Sequence, residues 1–542
     1  MEKIRDYTVI GSGFGGSVSA MRLSEKGYNV AVLEKGKRYR TEDFPKSNWN
    51  LKKYLWVPII KFFGFQKLTF FKNVFVLSGV GVGGGSLVYA NTHMVPPDAF
   101  FNNPSWGHLK DWKNTLAPFY DLAKKMLGTI PYPKFYEEDR LLKEVANDMG
   151  RGDTFAKVNV GVYYGDTKKW KDPYFKGLGP QRKGCVECAG CMVGCRYGAK
   201  NTLDKNYLYF AEKFGAEVHA ETLVTKIEYK DGIYHIHTQS STSWFGRNKK
   251  VYKSKGLIVS GGVLGTMQLL LKQKYELKTM PGISDTLGAQ LRTNSESLCG
   301  VMGGDRKLNN GVAISTVFNP DNDTHVEIVK FPDHSGALSR LSTIAAGEGN
   351  PLVRTSKMIG NIIAHPMQTL RAFFTFNQPR TGIIFLVMQS LDNSMKMIWK
   401  KGLFGSGMKI SNRGQGKVPA FIPQGQEVMK RYAKKVNGVP MNALTEIMFN
   451  MSTTAHILGG CPMGKSKEES VINENFEVHG YPNMHVLDGS VIQGNLGVNP
   501  SLTITALSEY AMSQIPEKPG NTQKSLDQLM QQQEQQGQQQ GD

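Results

Sequence analysis

The segment from residue 8 to residue 34 constrains the fold of this chain more than any other. An apolar run at 8–10 leads into the glycine turn GSGFGG at 11–16, and a helical pattern follows. A second apolar run at 30–33 ends at Glu34. A strand, a glycine turn, a helix and a strand ending in an acid form a βαβ unit that binds dinucleotides. The sequence therefore predicts an α/β fold with a Rossmann-like domain.

The residues of this turn have separate physical tasks. Gly11 allows the tight turn, Gly13 lets the backbone approach a pyrophosphate, and Gly16 lets the helix pack close to the strand. The N–H groups at the helix N-terminus attract phosphates. Glu34 stands where a carboxylate can accept hydrogen bonds from the adenosine ribose.

Composition and charge limit the classes of protein to consider. Of the 542 residues, 40% are hydrophobic and 21% are charged, which is ordinary for a globular protein of two or more domains. The net charge of +20 indicates a solvated basic surface or an anionic partner. The sequence contains no recognisable nucleic-acid module, so we expect no nucleic-acid partner. It also shows no basic-then-apolar leader, which predicts a cytoplasmic protein.

One segment mixes lysines with bulky apolar side chains. Residues 49–63 read WNLKKYLWVPIIKFF. Such a segment can lie on an anionic membrane surface, here the inner membrane face, or can cover an apolar substrate. The alternative is a buried segment of a second domain. Peripheral membrane contact is therefore one of two open predictions.

The pattern of apolar runs and glycine motifs predicts a discontinuous organisation. Strand patterns at 218–227, 234–238 and 256–260 resume the first domain, and the last stretch is rich in glutamine. The predicted units are a dinucleotide-binding domain at 1–295 with inserted segments near 40–75 and 100–200, a substrate-binding domain at 296–450, a return to the first domain at 451–515, and a disordered tail at 516–542.

Five motifs in order resemble those of the glucose–methanol–choline (GMC) flavoprotein oxidoreductases, most closely their cholesterol-oxidase-like branch. The motifs are GSGFGGSVSAMRLSEKGYNVAVLEKGKRY at 11–39, GVGVGGGSLVYANT at 79–92, SGGVLGTMQLLL at 260–271, HILGGCPMG at 456–464 and VLDGSVIQGNLGVNPSLTITAL at 486–507. The resemblance covers nearly the whole chain. It implies an FAD-binding domain with an inserted antiparallel-sheet substrate domain.

The resemblance also implies which residues hold FAD. Asp488 and Gly489 resemble the family's contact to the pyrophosphate or ribityl chain, and Val224 falls in the strand whose backbone meets adenine. The full set of candidate cofactor-binding residues is Gly11, Gly13, Gly15, Gly16, Glu34, Gly83, Gly84, Ser86, Asn91, Val224, Asp488 and Gly489.

Three residues match positions that carry catalysis in the family. Oxidation of an alcohol needs a group near neutral pKa to take the hydroxyl proton. His456 stands where the family places its catalytic histidine, and Asn499 where members carry His or Asn. Glu327, in THVEI, resembles the carboxylate that supports isomerisation of a steroid double bond; the alternative is a strand-face glutamate paired with a nearby lysine.

Four cysteines form a separate motif. Cys185, Cys188, Cys191 and Cys195 have the spacing C-x2-C-x2-C-x3-C of a ferredoxin iron–sulfur motif, although Arg196 replaces the proline that follows it there. The candidates are an iron–sulfur cluster, a zinc site, or free thiols and disulfides. A cluster would carry electrons away from the flavin to an acceptor other than oxygen.

Taken together, the resemblance implies FAD-dependent oxidation of a secondary hydroxyl on a sterol-like apolar substrate, with oxygen as the acceptor and isomerisation as a possible second step. The alternative is an FAD dehydrogenase of another lipid alcohol that uses a different electron acceptor.

Overall fold

The computed structural model of the chain describes residues 3–245, 247–402, 405–411, 416 and 418–539. Its strands are β1 (Ile4–Ile10), β2 (Val30–Leu33), β3 (Trp56–Val57), β4 (Phe62–Phe63), β5 (Gln66–Phe70), β6 (Val74–Gly79), β7 (Ile130–Pro131), β8 (Ala156–Lys157), β9 (Asn159–Val160), β10 (Glu217–His219), β11 (Thr222–Lys230), β12 (Ile233–Ser240), β13 (Lys250–Val259), β14 (Ser297–Met302), β15 (Ile314–Phe318), β16 (Thr324–Val329), β17 (Ser342–Ile344), β18 (Ile383–Gln389), β19 (Lys396–Gly402), β20 (Gly405–Ser411), β21 (Val439–Ala443), β22 (Ser452–Thr454) and β23 (Met484–Val486).

The α-helices are α1 (Phe14–Glu25), α2 (Leu51–Tyr54), α3 (Asp98–Phe101), α4 (Trp112–Met126), α5 (Glu137–Asp148), α6 (Tyr207–Lys213), α7 (Gly262–Lys272), α8 (Pro351–Ala364), α9 (Pro366–Phe374), α10 (Gln378–Thr381), α11 (Pro423–Lys435), α12 (Leu444–Phe449), α13 (Ser501–Ser513) and α14 (Leu526–Gln539). Among the described residues, no helix combines the length and the apolarity needed to cross a bilayer.

The first sheet confirms the predicted α/β fold class. Its strands run in the order β10-β2-β1-β13-β12-β11, and β23 also pairs with β13. The pairs β10–β2, β2–β1, β1–β13 and β13–β23 are parallel, whereas β11–β12–β13 is an antiparallel meander. Parallel strands buried on both faces read as continuous apolar runs, and all four residues of β2 are buried.

The second sheet is antiparallel, and most of its strands lie in the range 296–450 that the sequence predicts as the substrate-binding domain. Its order is β17-β21-β14-β18-β16-β15-β8. Seven strands with an antiparallel register agree with the sheet that the resemblance implied for the inserted domain. The short strand β8 comes from residues 156–157, outside the predicted range 296–450.

The C-terminal segment differs from the predicted disordered tail. Residues 526–539 form α14, and Leu526 is buried against the core. The amide of Leu526 donates to Glu25 at 2.7 Å, and the Lys518 ammonium lies 2.6 Å from Asp6. The glutamine-rich composition predicts disorder because glutamine is polar. Glutamine is, however, also a good helix former. A few apolar residues are enough to dock such a helix.

The segment 49–63 is neither wholly buried nor wholly exposed. Tyr54 and Trp56 are buried, while Trp49, Ile59 and Ile60 are exposed. The segment is therefore anchored through one set of side chains and presents another to solvent.

Candidate active site

The glycine turn at the start of α1 is fixed by close backbone approaches. Gly11 has a φ of +96°, and a Cβ added there would lie 2.1 Å from the carbonyl oxygen of Ser260. A Cβ on Gly15 would lie 1.7 Å from the carbonyl oxygen of Leu487, and one on Gly16 would lie 2.1 Å from that of Gly11. Larger residues cannot be placed at these positions without moving backbone. The three glycines therefore bring α1 against β1, β13 and the chain near residue 487.

The N-terminus of α1 faces a cavity. Gly13 is its N-cap, no side chain caps the helix, and no acid stands in its first turn. A Cβ added to Gly13, Gly262 or Gly265 would meet no atom within 4 Å, and all three residues line the cavity. Free helix N–H groups beside an open space suit the negative charge of a pyrophosphate. These residues fit the phosphate end of FAD.

Glu34 is buried at the end of β2, and its carboxylate already accepts hydrogen bonds from neighbouring residues. Its Oε2 accepts from the amide of Ser12 at 3.1 Å and from the Ser12 hydroxyl at 2.8 Å. Its Oε1 accepts from the amide of Gly36 at 2.8 Å. A carboxylate has about four acceptor positions, so Glu34 can hold the glycine turn and still accept from a ribose hydroxyl.

The second glycine loop, at residues 79–92, packs against the glycine turn at residues 11–16. Gly83 has a φ of +103°, and a Cβ on Gly84 would lie 2.6 Å from the Cα of Gly13. The Ser86 hydroxyl donates to the carbonyl of Gly83 at 2.7 Å and accepts from the amide of Leu203 at 3.0 Å. The Ser86 hydroxyl therefore uses its proton and one acceptor position to stabilise the loop. Asn91 is fully buried, and neither side-chain amide atom has a hydrogen-bond partner among the described residues.

The remaining predicted cofactor residues lie in two places. Val224 is buried in β11, where its backbone pairs with Thr238. Asp488 and Gly489 line the cavity. One carboxylate oxygen of Asp488 accepts from the amide of Ser490 at 2.8 Å, and the other accepts from the Thr266 hydroxyl at 2.5 Å. Burial raises the pKa of Asp488.

The structure brings the three predicted catalytic residues together. Asn499 donates through Nδ2 to Oε2 of Glu327 at 3.2 Å, and Nε2 of His325 lies 3.2 Å from Oε1 of Glu327. Glu327 is fully buried in β16, and its carboxylate oxygens contact Asn499 and His325 rather than the lysine of the alternative. His456 and Asn499 both line the cavity, and the charge of Glu327 raises the pKa of His456. Oδ1 of Asn499 is buried and has no hydrogen-bond partner among the described residues.

Glu296 is a site residue that the sequence reasoning missed. It is fully buried, lines the cavity, and places Oε2 at 3.1 Å from Nδ1 of His456. The same carboxylate accepts from the Thr454 hydroxyl at 2.8 Å and from the amide of Ala455 at 3.1 Å. Glu296 therefore fixes the loop that carries His456. Nothing in the sequence near residue 296 marks this pairing, because it depends on β14 and β22 being neighbours.

Glu296 also favours the protonated form of His456. Burial lowers the pKa of His456, but the carboxylate of Glu296 raises it by more, and the net shift is upward. An opposite charge at this distance typically moves a pKa by about 1–3 units.

Replacing Glu296 with glutamine removes that charge and keeps the shape. We expect the pKa of His456 to fall by about one unit or more, because the imidazolium loses its partner. The pH profile of kcat/KM, which reports the free enzyme, should show the His456 limb displaced to lower pH. Glu468→Gln, at an exposed position, is the matched control. An unchanged limb in Glu296→Gln contradicts the coupling.

The structure does not support the predicted metal centre at the cysteine motif. Over the described residues, no group of three or more His, Cys, Asp or Glu side chains is placed to hold a metal ion. All four cysteines are free thiols. Cys191 is buried in a small apolar cluster, and Cys185 and Cys195 pack against it. Burial raises the pKa of Cys188 to about 12 and also raises the pKa of Cys185 and Cys191, whereas the pKa of Cys195 is lowered, because the charge of Lys205 and backbone N–H groups outweigh burial. The arrangement of the described residues therefore supports neither the iron–sulfur nor the zinc prediction.

The wall of the cavity opposite the glycine turns is apolar. It is formed by side chains of the second sheet and its neighbours, among them Leu298, Ile314, Val329, Ile384, Leu386 and Met441. The cavity thus joins the glycine turn at the start of α1, the polar side chains of His456 and Asn499, and an apolar wall. This arrangement can hold an apolar molecule with its polar group at His456 and Asn499.

Comparisons with known proteins agree with this geometry. Residues 178–275 and 409–508 match the N- and C-terminal profiles of the GMC oxidoreductases, and residues 9–45 match an NAD(P)-binding Rossmann-like domain. The chain is 43% identical to a cholesterol oxidase of Acinetobacter baumannii, covering 95% of this chain and 94% of that protein. It is 42% identical to a cholesterol oxidase of Mycobacterium tuberculosis, covering 95% and 91%.

More distant proteins share the fold. A long-chain-alcohol oxidase of Arabidopsis thaliana is 22% identical, covering 94% of this chain and 67% of that protein. The crystal structure of pyridoxine 4-oxidase from Mesorbium loti superposes with a TM-score of 0.61 at 12% identity, covering 94% of this chain and 99% of that one. Identity above 40% over nearly the full length leaves no doubt about the family. The chain belongs to the GMC oxidoreductase family and is an FAD-dependent alcohol oxidoreductase.

Proposed function

We propose that this enzyme oxidises a secondary hydroxyl group of a sterol-like apolar alcohol. The observation that carries the proposal is the cluster of His456, Asn499 and Glu327 beside a cavity with an apolar wall. The names of the 42–43% identical relatives support the substrate class. FAD, when bound, accepts the hydride that leaves the carbinol carbon.

The residues of the cluster have distinct proposed roles. His456 takes the hydroxyl proton, because its imidazole lines the cavity and Glu296 stabilises the imidazolium that results. Asn499 orients the substrate oxygen through its amide. Glu327 accepts from that same amide, so the carboxylate fixes which atom of Asn499 faces the substrate.

The residues proposed to hold FAD surround the phosphate end of the cavity. The N–H groups of α1 and the backbone at Gly13 and Gly262 would contact the pyrophosphate, and Glu34 the ribose. Asp488 and Gly489 would lie beside the ribityl chain. Asn91, with its unpartnered amide, and Val224 remain predicted contacts.

Oxygen is the proposed electron acceptor. The names of the 42–43% identical relatives, which are cholesterol oxidases, support oxygen as the acceptor. Measuring oxygen consumption and peroxide formation during turnover tests the proposal. If turnover requires an added dye as electron acceptor, the dehydrogenase alternative is favoured. The expected cytoplasmic location stays a prediction.

A substrate screen tests the function directly. The purified yellow protein should be mixed without oxygen with sterols and, separately, with long-chain alcohols, while flavin absorbance is followed. Rapid bleaching by sterols and slow bleaching by fatty alcohols is expected. Faster bleaching by fatty alcohols than by sterols would contradict the sterol proposal and favour another lipid alcohol as the substrate.

Glu327 is proposed to move the proton in isomerisation of a steroid double bond. Glu327→Gln keeps the contact to Asn499 but cannot take a proton. We expect it to reduce isomerisation by about 10²-fold or more, the usual cost of losing a general base, and to reduce oxidation much less. Both activities can be followed in one assay with an unsaturated steroid, with Glu468→Gln as the control. Equal losses in both steps would contradict a specific proton-transfer role.

A further inference from the structure

His325 lies two residues before Glu327 in β16, and therefore on the same face of that strand. Its Nε2 is 3.2 Å from Oε1 of Glu327. Oε2 of the same carboxylate accepts from Nδ2 of Asn499, which lines the cavity. A chain of polar contacts thus runs from the cavity through Asn499 and Glu327 to the imidazole of His325.

The other ring nitrogen of His325 faces an acceptor. Its Nδ1 is 3.1 Å from Oδ1 of Asn319. An amide oxygen can only accept a hydrogen bond, so Nδ1 carries a hydrogen. Asn319 is itself held in place, because its amide donates to the Thr154 hydroxyl at 3.0 Å and its carbonyl accepts from Nε of Arg151 at 3.0 Å. This contact fixes the imidazole with Nε2 turned toward Glu327.

The contact between Nε2 of His325 and Oε1 of Glu327 needs one further hydrogen. A lone pair on each atom would repel the other, so a hydrogen lies between them. It belongs either to an imidazolium beside a carboxylate or to a neutral imidazole beside a carboxylic acid. These two forms differ only in the position of that hydrogen, so a proton can pass between the two side chains while their heavy atoms stay in place.

Solvent reaches only one member of this pair. The Glu327 side chain is 0% exposed, whereas that of His325 is 10% exposed. The neighbouring strands β15 and β18 place Val317 and Leu386 opposite Glu327, and β18 places Met388 opposite His325. An apolar substrate in the cavity would also keep water from the carboxylate on that side. The imidazole is therefore the contact of Glu327 that water can reach.

We propose that His325 is the group through which Glu327 exchanges protons with solvent. The inference rests on the proposed function, because it concerns the proton that Glu327 carries during isomerisation. In that step the α-carbon of a β,γ-unsaturated ketosteroid loses a proton to Glu327, the double bond moves, and the γ-carbon takes a proton from Glu327. No proton is gained or lost overall. While the carboxyl group holds the proton, His325 can replace it with one from water.

The test follows the label of a β,γ-unsaturated ketosteroid that carries deuterium at its α-carbon. The FAD-loaded protein converts it in ordinary water, and mass spectrometry of the product gives the ratio of deuterium lost to water to deuterium transferred to the γ-carbon. His325→Gln keeps an amide that can donate to Glu327 but cannot carry a proton, and His325→Asn replaces it if that variant does not fold. His108→Gln, at an exposed position, is the matched control.

We expect the parent and the control to lose part of the deuterium to water. His325→Gln should lower the ratio of loss to transfer by about 10²-fold, the lower end of the usual effect of removing a positioned proton-transfer group. A residue that only positions the carboxylate would change the rate and leave this ratio unchanged. An equal ratio in the parent and His325→Gln therefore overturns the inference, as does complete retention of deuterium by the parent.

A second measurement does not depend on turnover. In FAD-loaded protein with isotope-labelled histidine nitrogens, magnetic resonance shows which ring nitrogens carry hydrogen, and the signal missing from His325→Gln identifies His325. We expect a hydrogen on Nδ1 in the parent and a changed Nε2 signal in Glu327→Gln. An Nδ1 without hydrogen overturns the inference. If the expected signals are found while no steroid is isomerised, the proposed isomerisation falls and the proton-sharing pair stands.

Discussion

Replacing His456 with alanine is expected to slow anaerobic flavin reduction by roughly 10²–10⁴-fold, the usual effect of losing a well-placed proton acceptor. The imidazole lines the cavity and is paired with Glu296, so its loss removes the proton acceptor and leaves the Glu296 carboxylate without its partner. Stopped-flow absorbance of the bound flavin measures the step without interference from oxygen.

Flavin content and thermal stability must be recorded for the same preparations, because an effect on folding would also lower the rate. His108→Ala, at an exposed position, controls for the loss of a histidine as such. If His456→Ala reduces its flavin within a few-fold of the parent rate, another group takes the proton.

Two neighbouring glycines should respond differently to the same substitution. Gly15→Ala places a Cβ 1.7 Å from the carbonyl oxygen of Leu487, so backbone must move. Overpacking of this kind costs about 1–3 kcal/mol and occasionally more. We expect Gly15→Ala to lower both flavin occupancy and the unfolding temperature.

Gly13→Ala is the matched variant, because its Cβ meets no protein atom and points into the cavity. We expect it to lower flavin occupancy while the unfolding temperature of the flavin-free fraction stays at the parent value. The ratio of flavin to protein absorbance measures the occupancy. Thermal melts of the flavin-bound and flavin-free fractions measure the unfolding temperatures. Full flavin occupancy in Gly13→Ala would contradict a role of this turn in binding the cofactor.

The features that could be predicted from sequence are those encoded by short-range patterns. The turn at Gly11 to Gly16, the strand ending at Glu34 and the helix after Gly262 each need particular residues at fixed spacing, and the structure has them. His456 and Asn499 were predictable because each lies inside a motif.

The features that could not be predicted depend on distant parts of the chain. Glu296 becomes part of the site only when β14 is placed beside the loop after β22. The four cysteines have metal-site spacing, but the structure packs Cys191 among apolar side chains, and the spacing alone does not show this. The docking of α14 depends on Leu526 meeting α1, which composition does not reveal.

The packing of α1 has a consequence for the order in which the chain folds. This helix begins at residue 14, yet it is covered by α13, and Arg22 lies 2.7 Å from Glu509. β23, near residue 485, completes the parallel part of the first sheet. Domains generally fold as the ribosome releases them, starting from the N-terminus. Here the first helix to be synthesised is covered only when the last helix but one has been made. We therefore expect that a ribosome stalled before residue 500 holds a nascent chain that cannot retain its flavin.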